Sequence, residues 1–219
     1  MITSVPYRLR SFDPQNPGDV ERMNLMYYHP EVMKAKGYFT DDFDFAKITD
    51  LHDVDKTLAK IDYKVTKKSY ELMYGVVDVK DALVGWIWFY QDSKYPLPSK
   101  VMDAYGLTSR NSRIFQVSYQ KLMSGGWPDE ILEKLSYTTK LHLHLNRKGV
   151  IVEGLKLALK KLKAGFEKLY KIRPKLVIYG FISPDNIGSA KVLSYNGFVK
   201  NDKKYRCDGE FSDLWVKMM

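Results

Sequence analysis

The chain has 219 residues, a formal net charge of +9, 45% hydrophobic and 14% aromatic residues. A chain of that length and composition buries about 70–75% of its unfolded surface on folding, which excludes global disorder. Its one cysteine, Cys207, excludes an internal disulfide framework and suits a reducing compartment.

The positive charge favours acidic partners such as coenzyme phosphates, nucleic acid or an anionic surface. The basic residues are dispersed, however, with no arginine-rich tract or aromatic–basic motif. A solvated basic surface is expected, and nucleic acid is not expected as a partner. The N-terminus carries no signal-peptide pattern, and no apolar run reaches membrane length, so the expectation is a cytoplasmic protein without a membrane partner.

In chain order, Pro6-Tyr7-Arg8-Leu9-Arg10 alternates like an edge strand. Asn16-Pro17-Gly18-Asp19 opens a helix with Val20, Met23 and Tyr27 at helical spacing, ended before Pro30. Tyr38 to Asp55 is locally acidic, with Asp41, Asp42 and Asp44 among six aspartates, and would attract a positively charged substrate or simply face water. A helix is predicted from about Val54 to Lys67. Leu72–Val79 and Leu83–Tyr90 read as a hairpin joined by Lys80-Asp81-Ala82, with Gly85 marking a bulge or a close backbone approach.

Gln91 to Ser112 reads as loop, and Arg113-Ile114-Phe115-Gln116-Val117-Ser118-Tyr119-Gln120-Lys121 as a strand. Ser124-Gly125-Gly126 breaks it, and Trp127-Pro128-Asp129-Glu130 starts a helix. Leu141-His142-Leu143-His144-Leu145 has period two and is open to a strand reading as well. No third ligand accompanies His142 and His144, so no metal is expected. Beyond Asn146-Arg147-Lys148-Gly149-Val150-Ile151 a long helix carries Leu155, Leu159, Leu162, Phe166 and Leu169 on one side and Lys156, Lys160 and Lys163 on a solvated face. Lys175–Phe181 is a short apolar run with the character of a buried strand. Pro184-Asp185 is a helix-start signal and Asn196-Gly197 a stop. At 100° per residue Asn186, Ser189 and Leu193 share a face of that helix, and Tyr195 points away. Two strands follow, near Phe198–Tyr205 and Phe211–Lys217.

The pattern Asn186-x-x-Ser189-x-x-Val192-Leu193-x-x-x-Gly197-Phe198 resembles the second signature of the GNAT superfamily of N-acetyltransferases, and is closest to the subgroup that modifies ribosomal-protein N-termini. The resemblance implies an α/β (α+β) fold: a central mixed seven-stranded sheet flanked by helices, with strands four and five splayed. It implies one domain, 1–219, with an insertion at about 91–146. The Arg113–Lys121 segment would then be strand four, since seven strands fall out without a spare; with Leu141–Leu145 as strand four, the earlier segment becomes the insertion.

By the same resemblance Asn146, Arg147, Lys148, Gly149, Val150 and Ile151 correspond to the pyrophosphate loop. Such a loop is an anion nest, in which successive backbone N–H groups at a helix start hold phosphates. Asn146 replaces the usual arginine or glutamine, and Ile151 the usual small residue, which would crowd a phosphate. Asn186 would bond the pantetheine arm of acetyl-CoA, the expected co-substrate, and backbone N–H groups of Val117, Ser118 and Tyr119 would polarise its thioester carbonyl. Leu193 stands where many members carry an acidic tyrosine, so Ser189 is the candidate proton donor. Gln116 stands where the subgroup often has glutamate. It cannot act as a base but can orient water or substrate. The implied activity is acetyl transfer to a primary amine on a peptide, protein N-terminus or small molecule, by a monomer or homodimer. The alternatives are an inactive acyl-CoA-binding protein and an aminoacyl- or RNA-linked transferase on the same fold.

Overall fold

A computed structural model describes residues 7–35, 63–66, 68–143, 149–170, 174–207 and 209–219. The acidic Tyr38–Asp55 segment, His144, and the loop residues Asn146, Arg147 and Lys148 lie outside the described residues. The elements are β1 (Arg8–Arg10), α1 (Pro17–Tyr27), α2 (Pro30–Ala35), β2 (Glu71–Val77), β3 (Leu83–Tyr90), α3 (Ser99–Ala104), β4 (Ser112–Lys121), α4 (Asp129–Lys134), α5 (Tyr137–Leu143), α6 (Val150–Leu169), β5 (Lys175–Ile182), α7 (Ile187–Tyr195), β6 (Val199–Cys207) and β7 (Glu210–Met218). The strands form one sheet in the order β1-β2-β3-β4-β5-β7-β6. β4 and β5 are parallel, whereas β1–β2, β5–β7 and β6–β7 are antiparallel. Arg113–Lys121 is therefore the fourth strand of a mixed α/β sheet flanked by helices.

The described residues cluster into two compact units, one drawn from Met1–Ile61, Tyr74–Trp86 and Tyr119–Gly154, the other from Asp62–Met73, Ile87–Ser118 and Leu155–Met219. In the first, Asn16 caps α1, its side chain accepting from the N–H groups of Gly18 and Asp19. Val20 and Met23 are buried as the spacing requires, but so are Asp19, Glu21, Arg22 and Asn24. Their charges are paired. Arg10 donates to both Asp19 oxygens, Arg22 reaches Asp19 at 3.4 Å, and the Glu21 carboxylate accepts from both N–H and Oγ–H of Ser136. Burial opposes the charge on Arg22 and lowers its pKa, while bonding to Asp19 raises that of Arg10.

Ser136 also accepts from Thr139 N–H and so starts α5, a helix where period two had allowed a strand. The stripe that is buried, Thr139 and Leu143, has i, i+4 spacing, whereas Leu141 is half exposed. At the hairpin, Asp78 Oδ1 accepts from the N–H groups of Lys80 and Ala82, and Asp81 takes a positive φ of 62°. Gly85 is a close approach: a Cβ there would lie 3.1 Å from Gln120 O and from Ile151 Cδ1.

In the second unit, Gln91–Ser112 is not all loop. Leu97, α3's Val101 and Leu107 pack with Val177, Tyr179, Leu214 and Val216 to cover one face of β5 and β7. Six helical residues after a proline are too short to show a period. Tyr63–Thr66, the described end of the helix predicted to Lys67, is not helical. On α6, Leu155, Leu159, Leu162 and Phe166 are buried, and Lys156, Lys160 and Lys163 are exposed, as the stripe predicts.

Candidate active site

Side by side, β4 and β5 are in register for five pairs, Ser112↔Lys175 to Gln116↔Tyr179. β4 runs on through Val117 and Ser118, and β5 through Gly180, Phe181 and Ile182, without further pairing to each other. β5 keeps its other partner over that stretch, with Gly180↔Trp215, Phe181↔Leu214 and Ile182↔Asp213 on β7. This is the splay between strands four and five. Val117 and Ser118 of β4 have no register partner on β5, and an unpaired strand edge of this kind is how an extended, amide-containing molecule joins a sheet.

Gln116 marks the parting point. Its side chain is half buried, and its Oε1 is buried without a hydrogen-bond partner among the described residues. A buried acceptor left unmet costs about 1–3 kcal/mol. Opposite it, Tyr179 is spoken for: its hydroxyl donates to Tyr95 O at 2.9 Å, and burial holds its pKa far above the ordinary tyrosine value. Tyr179 is thus a strut between β5 and the segment before α3.

After β5 the chain turns at Ser183–Asp185 into α7. Asn186, not Pro184, is the helix cap, its Oδ1 accepting from Ser189 N–H at 2.9 Å. The signal was in the sequence, because asparagine ranks among the best capping residues. The cap uses the carbonyl end of the amide, which leaves the Nδ2 end as the donor Asn186 can offer a ligand. Ser189 is half buried in the first turn. Leu193 is fully buried, whereas Tyr195 is 77% exposed, so the helical-wheel orientation of the two holds.

In the other unit, Gly149 precedes α6 with φ of 79°, and its carbonyl accepts from Glu153 N–H at 2.9 Å. A Cβ built there meets nothing within 4 Å. The left-handed backbone therefore calls for glycine at this position without any crowding by neighbouring protein atoms among the described residues. Ile151 does not crowd this turn: it is 7% exposed and packs on Gly85. Val150 is likewise buried. With those two side chains turned inward, neither covers the start of α6, a helix N-terminus of the kind that can receive an anion such as a coenzyme pyrophosphate.

Among the described residues no group of three or more His, Cys, Asp or Glu side chains is placed to hold a metal ion. His142 instead lies 3.6 Å from Asp78. No helix among the described residues is long and apolar enough to cross a membrane.

No protein-family model matches this sequence, and no curated protein matches it. Solved structures do share its fold. An aminoglycoside acetyltransferase, AAC(6')-Ib, in complex with coenzyme A has a TM-score of 0.55 at 10% identity, over 97% of this chain and 94% of that one. RimJ from Mycobacterium smegmatis, in complex with CoA-disulfide, has a TM-score of 0.54 at 12% identity, over 97% of this chain and 81% of that one. A GNAT-family acetyltransferase from Bacillus anthracis has a TM-score of 0.50 at 17% identity, over 97% and 93%. This chain, with its mixed seven-stranded sheet flanked by helices, shares its fold with those three structures.

Proposed function

We propose that the protein is an acetyl-CoA-dependent N-acetyltransferase that acts on a primary amine. The observation that carries this reading is the end of parallel pairing at Gln116↔Tyr179, with an unmet buried acceptor at that residue. The fold it shares with structures that hold coenzyme A or CoA-disulfide supports it. The whole chain, 1–219, is read as one such domain with an insertion at about 91–146.

When bound, acetyl-CoA supplies an activated acetyl thioester. Gly149, Val150 and Ile151 would hold its pyrophosphate through backbone N–H groups, with charge added by Arg147 and Lys148 and a polar contact by Asn146. Asn186 Nδ2 would donate to the pantetheine arm. Backbone N–H groups of Val117, Ser118 and Tyr119 would steady the negative charge that grows on the carbonyl oxygen. Gln116 Oε1 would accept an N–H of the amine and aim its lone pair at the carbonyl carbon. As the new N–C bond forms and the C–S bond breaks, Ser189 Oγ would hand a proton to the departing sulfur and regain one from the acylated nitrogen through water, so that the amine's proton ends on the thiol. Much of the rate then comes from positioning an amine that arrives partly deprotonated.

An α-amine suits this chemistry better than a lysine. Its pKa lies near 8 against about 10.4, which at neutral pH favours the α-amine by about 3 kcal/mol. The acidic Tyr38–Asp55 segment, with Asp41, Asp42 and Asp44, would attract the ammonium form of the acceptor. A second reading, an acyl-CoA-binding protein without turnover, is favoured by one observation: Leu193, at the position of the usual acidic tyrosine, is fully buried. Incubation with acetyl-CoA and a peptide carrying both an α-amine and a lysine separates these readings. Acetylation at the α-amine, faster at pH 9 than at pH 7, is expected. Coenzyme binding without product would establish the second reading, and exclusive lysine modification would refute the acceptor preference.

A further inference from the structure

Beyond the end of the β4–β5 pairing, the face of the sheet that carries Gln116 is built of rings. Gln116 and Tyr179 are register partners and project to one face, and Phe181, two residues on, shares it. Phe181 has no register partner on β4 but meets two rings, Tyr179 at 5.8 Å and 84° and Tyr205 of β6 at 5.9 Å and 63°. Both contacts are edge-to-face, an arrangement in which aromatic rings fix one another's positions. Burial first, then Asp92 and Tyr90, raise the Tyr179 pKa, which places both groups beside it.

Tyr179 is buried in a core with Leu97, Val101 and Leu107. Phe181 and Tyr205 lie at the margin of that core and are half buried. Apolar area is therefore left uncovered close to Gln116 Oε1, which is buried and has no hydrogen-bond partner among the described residues. The Cα atoms of Gln116 and Phe181 are about 8 Å apart by strand spacing and rise. One amino-acid residue spans that separation when its amine bonds Gln116 Oε1 and its side chain lies on Phe181. The carboxylate at hand, Asp92, is engaged: its Oδ1 accepts from the N–H groups of Lys94 at 2.7 Å and Tyr95 at 3.2 Å. Rings beside one engaged carboxylate suit an acceptor with a single amine and an apolar body. A polyamine would have to shed water from several charges without partners for them.

We propose that Phe181 and Tyr205 determine acceptor specificity by seating an aromatic or large aliphatic side chain on the carbon that bears the reacting amine. The inference rests on the acetyl-transfer reading above and names the acceptor class for it. An apolar seat also serves the chemistry, because removing water disfavours the ammonium form and leaves more of the amine as free base.

The test uses the full chain and peptides identical but for a first residue of Phe, Leu, Ser or Asp. Calorimetry with plain coenzyme A present measures peptide binding without reaction, and steady-state assays with acetyl-CoA measure kcat/KM. The Phe and Leu peptides should bind at least about tenfold more tightly than the Ser peptide, and the difference in kcat/KM should lie in KM. Phe181→Ala should bring the Phe-to-Ser ratio within about threefold, whereas Phe181→Tyr, which keeps the ring, should preserve it. Tyr205→Ala, on the edge strand, should also lower the ratio, and it carries the test should Phe181→Ala fail to fold. A Phe181 that only supports the fold would weaken all four peptides alike and leave the ratio unchanged, which would overturn the proposal. No peptide binding, or a preference for Ser or Asp, would overturn it too. Acetylation of all four at similar rates would uphold the transferase reading and sink this inference. The predicted binding order without acetylated product would uphold the apolar seat and sink the transferase reading.

Discussion

Gly149 offers a test in which the size of the effect follows from the geometry. Its φ of 79° is a conformation that costs an L-residue about 1–2 kcal/mol. The open space around its Cβ position means that steric crowding adds nothing. Gly149→Ala also removes freedom from the unfolded chain, worth about 0.4–1 kcal/mol in the opposite sense. The net loss should be about 0.5–1.5 kcal/mol, or a fall in Tm of roughly 1–6 °C for a chain of this size. Gly149→Asn should lose less, because asparagine tolerates the left-handed region. Acetyl-CoA at about 100 times its Kd adds about 2.7 kcal/mol to a native state that alone binds it, a rise of roughly 5–11 °C in differential scanning fluorimetry. Gly149→Glu places a carboxylate where the phosphate would sit and should abolish that rise. A full ligand-induced shift in Gly149→Glu, or none in the wild type at millimolar acetyl-CoA, would refute the assignment of this turn.

Three other outcomes are expected. Ser189→Ala should lower kcat by about 10²-fold or more and leave acetyl-CoA affinity nearly unchanged, whereas Asn186→Asp, which keeps the helix cap but loses the Nδ2 donor, should raise the KM for acetyl-CoA without lowering Tm; the reverse pattern in steady-state kinetics exchanges the two roles. A Cβ on Gly154 would lie 2.7 Å from Cγ2 of the buried Val76; Gly154→Ala should therefore cost about 1 kcal/mol net of its helix-propensity gain, and Val76→Ala in the same chain should recover part of it in a double-mutant cycle by urea unfolding. Burial raises the Tyr90 pKa to about 12; the hydroxyl is neutral in both states below pH 10, ionises first in the unfolded chain above it, and stability should fall as pH rises from about 10 to 12, less steeply in Tyr90→Phe when followed by circular dichroism.

Much of the fold was legible because it depends on neighbours in sequence. The apolar run Lys175–Phe181, the stop at Asn196-Gly197, the Leu83–Tyr90 strand and the leucine stripe of α6 all matched local periods and caps, and the elements stand close to where those signals put them. Signals failed where burial did not follow one face. On α1 the polar residues Asp19, Glu21, Arg22 and Asn24 are buried with the apolar ones; Asp19 pairs with Arg10 of β1, Glu21 with the distant Ser136, and Arg22 with Asp19 and the distant Thr139. The Leu141–Leu145 alternation was ambiguous; over its described part, to Leu143, the chain is a helix started by Ser136, with Thr139 and Leu143 buried.

The site divides the same way. Asn186, Ser189, Gly149 and Gln116 were singled out by resemblance to the family's motifs, which lie in short windows of sequence. Sequence alone also determined that Tyr195 points away from Asn186, which is helical geometry and nothing more. Three matters waited for tertiary structure: that β4 and β5 part after Gln116 and Tyr179, that Ile151 turns inward onto Gly85, and that Phe181 meets the ring of Tyr205. Each is decided by which strand lies beside which, and by what a side chain meets across the sheet. Those contacts join residues tens of positions apart, and their energies appear only once the chain has closed on itself.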